Sequence, residues 1–94
     1  MGKLIILRGN SGSGKTTVAK ALQKKLGRNT MLISQDEVRR NMLWVDDGID
    51  TKALPLMAEL LRYGREHSEF SILEGIMYDE WYRSLFELAN ELYG

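Results

Sequence analysis

Apolar positions fall into short continuous runs, separated by longer stretches with helical spacing. Leu4-Ile5-Ile6-Leu7 is a run of strand length and predicts a buried strand. From Lys15 to Leu26, the apolar residues Val18, Leu22 and Leu26 share one helical face, and Gly27 supplies a stop. After Arg28-Asn29, the run Thr30-Met31-Leu32-Ile33-Ser34 predicts a second buried strand. Asp36 to about Val45 reads as a helix with Val38, Met42 and Val45 inward, capped by Ser34 or Gln35, its first-turn acids Asp36 and Glu37 suiting the helix dipole. Asp46-Asp47-Gly48 is a loop. A third helix runs roughly from Thr51 to Glu66, with Leu54, Met57, Leu60 and Leu61 facing a core. Pro55 is tolerated only near its start, so the first turn belongs close to Pro55. Phe70 to Gly75 is a third strand and Asp79 to Tyr93 a final helix.

The order βαβααβα calls for a parallel sheet with right-handed crossovers, an α/β architecture of three layers, α/β/α, with about three strands. The final helix carries two adjacent apolar stripes. One is Trp81, Leu85, Leu88 and Leu92, and the other is Tyr82, Phe86, Ala89 and Tyr93. So broad a surface asks for burial on two sides.

Between the first strand and the first helix stands Gly9-Asn10-Ser11-Gly12-Ser13-Gly14-Lys15-Thr16, followed by Thr17, a complete G-x-x-x-x-G-K-[ST] phosphate-binding loop in its required strand–loop–helix setting. Glycines let the backbone wrap closely around phosphate oxygens, where a Cβ would obstruct. Successive amide N–H groups form an anion nest at the positive end of the helix. Lys15 supplies a mobile charge for the β- and γ-phosphates, and the Thr16 hydroxyl is placed to ligate Mg²⁺. The implied ligand is a nucleoside triphosphate with Mg²⁺.

Composition narrows the rest. Ninety-four residues make one small domain, here 1–94, with the make-up of an ordinary globular protein. With no cysteine, disulfides, thiol catalysis and cysteine zinc sites are excluded, and a single histidine, His67, argues against a histidine-rich metal centre. The N-terminal apolar run is too short for a signal-peptide core or a membrane span, so the expected location is cytoplasmic, with no membrane partner. The formal net charge of zero hides an asymmetry: residues 1–40 carry nine Lys/Arg against two acids, and residues 41–94 carry four against eleven. Anion handling is thereby concentrated in the first half, although Lys20, Lys24 and Lys25 read as a solvated helix face. No basic stripe with interleaved aromatics favours nucleic acid as the main partner.

A second constellation follows the second strand: Ser34-Gln35-Asp36-Glu37-Val38-Arg39-Arg40. Ligands of open α/β sheets bind beyond the carboxyl ends of the strands, so these residues face the same crevice as the phosphate loop. Asp36 has the chemistry of a base for an attacking hydroxyl, and Arg39 or Arg40, one turn on, that of a fork for a substrate anion. The plainer reading makes Asp36 a first-turn acid and the arginines surface charges.

With GNSGSGKTT at 9–17, SQDEVRR at 34–40 and ILEG at 72–75, the chain resembles the P-loop kinases of small molecules. It is most similar to the branch of zeta toxins, chloramphenicol phosphotransferase and polynucleotide kinase, a group also described as AAA-type ATPases. The resemblance implies a P-loop NTPase fold. It also implies that Lys15 and Asp36 are catalytic, Asp36 as base, and that Arg39 binds substrate with Arg40 beside it. Glu74 matches a carboxylate associated with substrate or magnesium, while a helix-capping or arginine-paired role is equally open. It covers only the N-terminal half of such a kinase, without the lid arginine and later strands. The expectation is therefore a truncated fold whose first strand is central, flanked by the third on one side with its other edge open, inviting a partner chain or a second copy there or at the final helix.

The leading expectation is transfer of the γ-phosphate of Mg·ATP to a hydroxyl of a small, nucleoside-like or other substrate, weak or absent in this short chain for want of a lid. The rival is a non-catalytic nucleotide-binding module or fragment that oligomerises through its open sheet edge. An NTPase switch lacks the Asp-x-x-Gly element it would need.

Overall fold

The computed structural model describes residues 2–9 and 14–94. In chain order they form β1 (Lys3–Arg8), α1 (Lys15–Leu26), β2 (Met31–Ser34), a π-helix (Glu37–Leu43), α2 (Ala53–His67), β3 (Phe70–Gly75) and α3 (Asp79–Tyr93). All strand pairing is parallel, in the order β1-β3-β2. Leu7 of β1 and Ser34 of β2 both lie opposite Glu74, so the carboxyl ends of all three strands converge on that residue. This is an α/β P-loop NTPase fold with a three-stranded parallel sheet.

Alternation along β3 explains the layering. Ile72 and Glu74 face α1, whereas Ser71 and Leu73 face α2 and α3. On the α2/α3 side, Ile33, Met57, Leu61, Leu73, Tyr82, Leu85 and Ala89 close into one core. Close approach there depends on Gly64 of α2. A Cβ at that position would run into Ser71 Oγ and come within 3.2 Å of Tyr93 Oη.

The differences from the sequence expectations have local causes. β3, not β1, is the central strand; β1 pairs with β3 alone among the described residues, so its other edge is unpaired and Ile6 is 40% exposed. β1 is thus a half-buried edge rather than a buried strand. In α1 the helix turns Ala19 to the sheet, flanked by half-buried Leu22, Gln23 and Leu26, which leaves Val18 53% exposed. A small residue at the contact lets the helix lie close, and Val18 sits one position off that line.

Past β2 the helix starts at Gln35 and widens into a π-helix that ends at Leu43, short of Val45. Neither Ser34 nor Gln35 caps it through a side chain. The wider turn breaks the four-residue stripe: Val38 is buried, Val45 packs at the core's margin, and Met42 faces solvent. The chain leaves this helix through Trp44, a non-glycine residue at φ 55°. α2 begins at Ala53, with Pro55 inside the first turn, where no intrahelical N–H is needed. Its buried line is Ala53, Met57, Leu61 and Gly64, with Leu54 and Leu60 to the side. In α3 the buried line, Tyr82, Leu85 and Ala89, cuts across both expected stripes; Trp81, Phe86, Leu92 and Tyr93 are half-covered around it. No helix among the described residues is long and apolar enough to cross a membrane.

Candidate active site

A cleft of about 490 Å³ opens beyond the carboxyl ends of the strands. Gly14, Lys15, Thr16 and Thr17 line it from the start of α1. Gln35, Asp36, Arg39 and Arg40 line it from the segment after β2, and Glu74 and Gly75 from the end of β3. The fold thus gathers three sequence segments, separated by about twenty and forty residues, into one site. Gly9 borders an adjoining hollow with Arg8 and Asp79 rather than this cleft. Asn10, Ser11, Gly12 and Ser13 of the loop lie outside the described residues.

Gly14 adopts φ 77° as the residue before α1, and its carbonyl accepts from Val18 N–H at 3.0 Å. That left-handed turn aims the first amides of α1 into the cleft, at the positive end of the helix. Lys15 and Thr16 follow in the first turn. Thr16 Oγ1 donates to Glu74 Oε2 at 3.4 Å, a long bond to a carboxylate in a residue only 2% exposed. No arginine pairs with Glu74 among the described residues, and the hydrogen bond it accepts comes from the first turn of α1. A hydroxyl and a carboxylate form a hard-oxygen donor pair suited to Mg²⁺, which takes one or two protein oxygens and completes its shell with water and phosphate. The described residues offer no cluster of three or more acids or histidines, so an all-protein metal cage is absent among them.

Asp36 is the hub of the opposite wall. Its Oδ1 accepts a hydrogen bond from Arg39 Nη2 at 3.3 Å and stands 2.8 Å from Arg40 Nε in an ion pair. At this exposure such pairs are worth only about 0–1 kcal/mol of stability each, so the arrangement orients the guanidiniums more than it holds the fold. Arg39 is mostly buried, and its Nε is enclosed without a hydrogen-bond partner among the described residues.

Three lining residues carry no signal that sequence spacing isolates. Gly75 sits at φ 148°, and a Cβ there would stand 2.6 Å from Gln35 Cβ, so glycine is what lets Gln35 close over the strand end. Gln35 Nε2 donates to Tyr82 Oη at 2.9 Å, and Tyr82 Oη donates to Asp47 Oδ1 at 2.6 Å. Asp47 lines the cleft, held also by the N–H of Gly48 at 3.0 Å. Burial, and next the hydrogen bond to Asp47, push the Tyr82 phenol far above its ordinary range, so it is a proton donor throughout the physiological range. The Asp47-Gly48 pair was legible as a loop, but its partner lies 35 residues away.

No curated protein is similar enough to the chain to match it. A family model described as an AAA domain matches residues 4–92, from β1 to within two residues of the end of α3. That span contains the phosphate loop and every lining residue named above. The chain therefore belongs to this AAA-domain family, whose members are nucleotide-binding P-loop proteins.

Proposed function

We propose that the chain is an ATP-dependent phosphotransferase that moves the γ-phosphoryl group of Mg·ATP to a hydroxyl of a small acceptor, in the manner of the small-molecule P-loop kinases it resembles. One observation carries the reading. Lys15 and Thr16 of the phosphate loop share a single cleft with Asp36, Arg39, Arg40 and Glu74. A site built only to hold phosphate has no need of a carboxylate flanked by two guanidiniums on its facing wall.

In the proposed reaction the acceptor oxygen attacks the γ-phosphorus as its proton passes to the Asp36 carboxylate, and the bond from that phosphorus to the bridging oxygen breaks, releasing ADP. Lys15 and the α1 amides bear on the charge of the transferring group. Mg²⁺, held through Thr16 with Glu74 beside it, supplies neutralisation of the phosphate charge. Arg39 and Arg40, which both line the cleft, orient the acceptor. Both guanidiniums make their closest approach to Asp36 Oδ1, so the reading assigns the proton to Oδ2.

The substitution Asp36→Asn tests this. Phosphoryl transfer from labelled ATP to a panel of hydroxyl compounds should fall at least about a hundredfold, the scale of general-base loss, with nucleotide affinity unchanged. Transfer undiminished in that variant would refute the base assignment. A second reading has one observation in its favour: Asp36 Oδ1 is already engaged by both arginines, as in a purely structural cluster. On that reading the chain is a nucleotide-binding module, and the wild type binds ATP but transfers to no acceptor.

A further inference from the structure

Asp47 is the one cleft carboxylate that the phosphoryl-transfer chemistry leaves without a task. It reaches the cleft from the loop between the π-helix and α2, seven residues past Arg40 and outside both motif segments. Its position is built rather than incidental. Oδ1 accepts from Tyr82 Oη and from Gly48 N, while Tyr82 is fully buried in the core and its oxygen is in turn held by Gln35 Nε2. A chain of three side chains thus ties the cleft wall to the first turn of α3. Carboxylates have about four acceptor sites, and two donors on Oδ1 leave Oδ2 to be satisfied. Both hydrogen bonds that Asp47 accepts fall on Oδ1, and no arginine forms an ion pair with it among the described residues.

The wall around Asp47 is polar. Gln35, Asp36, Arg39 and Arg40 accompany it, and the apolar or aromatic lining, Ile76 and Tyr78, comes from the segment after β3. A hydrocarbon or flat aromatic acceptor would find little to bury against on this side. An acceptor dense in hydroxyls would meet acceptors and donors in alternation: Asp47 and Asp36 for its O–H groups, and the arginines for its oxygens or an attached anion.

We propose that Asp47 is an acceptor-binding residue that takes the vicinal hydroxyls of a sugar-like ring, held in place by Tyr82 and Gln35. The assignment rests on reading this cleft as a phosphoryl-acceptor site, and it names the class of acceptor. Asp36 then manages the proton of the reacting hydroxyl, while Asp47 receives neighbouring hydroxyls and sets the ring's orientation.

The test is ligand-observed NMR titration of the full chain with uridine and with methyl glucoside, 2′,3′-dideoxyuridine serving as the diol-free control, each with and without Mg·ADP. At least one diol should bind the wild type and lose about tenfold in affinity with Asp47→Asn, the scale of one charge-assisted hydrogen bond. The dideoxy compound should bind weakly and equally to both. Asparagine keeps an oxygen for Tyr82 and Gly48, so the melting temperature should stay close to wild type; Asp47→Ala, which removes that oxygen, should abolish diol binding. A diol that binds wild type and Asp47→Asn equally overturns the assignment, as does a chain that binds Mg·ADP but neither diol. A chain that binds a diol through Asp47 yet ignores Mg·ADP upholds the assignment and refutes the phosphotransferase reading.

Discussion

Tyr82→Phe removes one oxygen from the point where the core meets the cleft, and its cost can be worked out from the contacts. The ring is fully buried and stays so, leaving hydrophobic burial almost unchanged. The hydroxyl donates to Asp47 Oδ1 at 2.6 Å, a bond to a charged acceptor of the kind worth roughly 1.5–3 kcal/mol. Asp47 is only half-buried and can recover water, which places the loss at the lower end of that range. Gln35 is 3% exposed, and its Nε2 loses its acceptor with no water at hand, an orphaned donor costing about 1–3 kcal/mol. Removing the desolvated phenol offsets about 1 kcal/mol of this, so the net destabilisation is roughly 2–3 kcal/mol. A domain of this size has on the order of 5–14 kcal/mol in total. The melting temperature should therefore fall by about 10–20 °C in thermal unfolding followed by circular dichroism. Adding Gln35→Leu removes the orphan, so the double variant should be at least about 1 kcal/mol more stable than the two single losses predict. A loss under about 0.5 kcal/mol for Tyr82→Phe, or strict additivity in the double variant, would refute the claim that this network is coupled and buried.

Glu74→Gln should leave nucleotide binding in EDTA unchanged but remove most of the gain in ADP affinity that Mg²⁺ brings, read by calorimetry; an undiminished magnesium effect would remove Glu74 from the metal site. Gly64→Ala gains about 1 kcal/mol of helix propensity but drives a methyl into Ser71 Oγ, an overpacking cost of typically 1–3 kcal/mol. Sterics should win, giving a lower urea midpoint, and Ser71→Ala in the same chain should restore it. In alkali the folded state keeps the Tyr82 proton that the unfolded chain releases near pH 10, so this contribution to stability is intact below pH 10 and declines above it, by at most about 1.4 kcal/mol per pH unit. The difference in stability between wild type and Tyr82→Phe should accordingly shrink above pH 10 and hold constant below it.

Much of this protein is legible in local pattern. The order of elements, the bounds of α3 and β3 and the phosphate loop before α1 follow from apolar runs, helical spacing and glycine placement, which act over a few residues at a time. The Asp36–Arg39–Arg40 group was also legible, since all three lie within two helical turns and reach one another in most helical geometries. Whether they face the start of α1 was a matter of topology; in the fold Asp36, Arg39 and Arg40 line the same cleft as Gly14, Lys15, Thr16 and Thr17.

Tertiary structure decided the rest because burial depends on neighbours. Val18 and Met42 have the spacing of core residues, yet the sheet meets α1 at Ala19, and the π-helical turn swings Met42 outward. β1 has the composition of a buried strand, but its burial depends on what lies along an edge that is unpaired among the described residues. Asp47 shows the limit most clearly. Its own neighbours mark only a turn, and its place in the cleft comes from a tyrosine 35 residues away and a glutamine after β2, brought together by packing α3 against the sheet. Sequence alone determined that this chain has a phosphate-gripping loop and an acid–arginine group. Only the fold determined which further side chains stand around them, because long-range contacts are chosen by the packing of whole elements and leave no periodic trace along the chain.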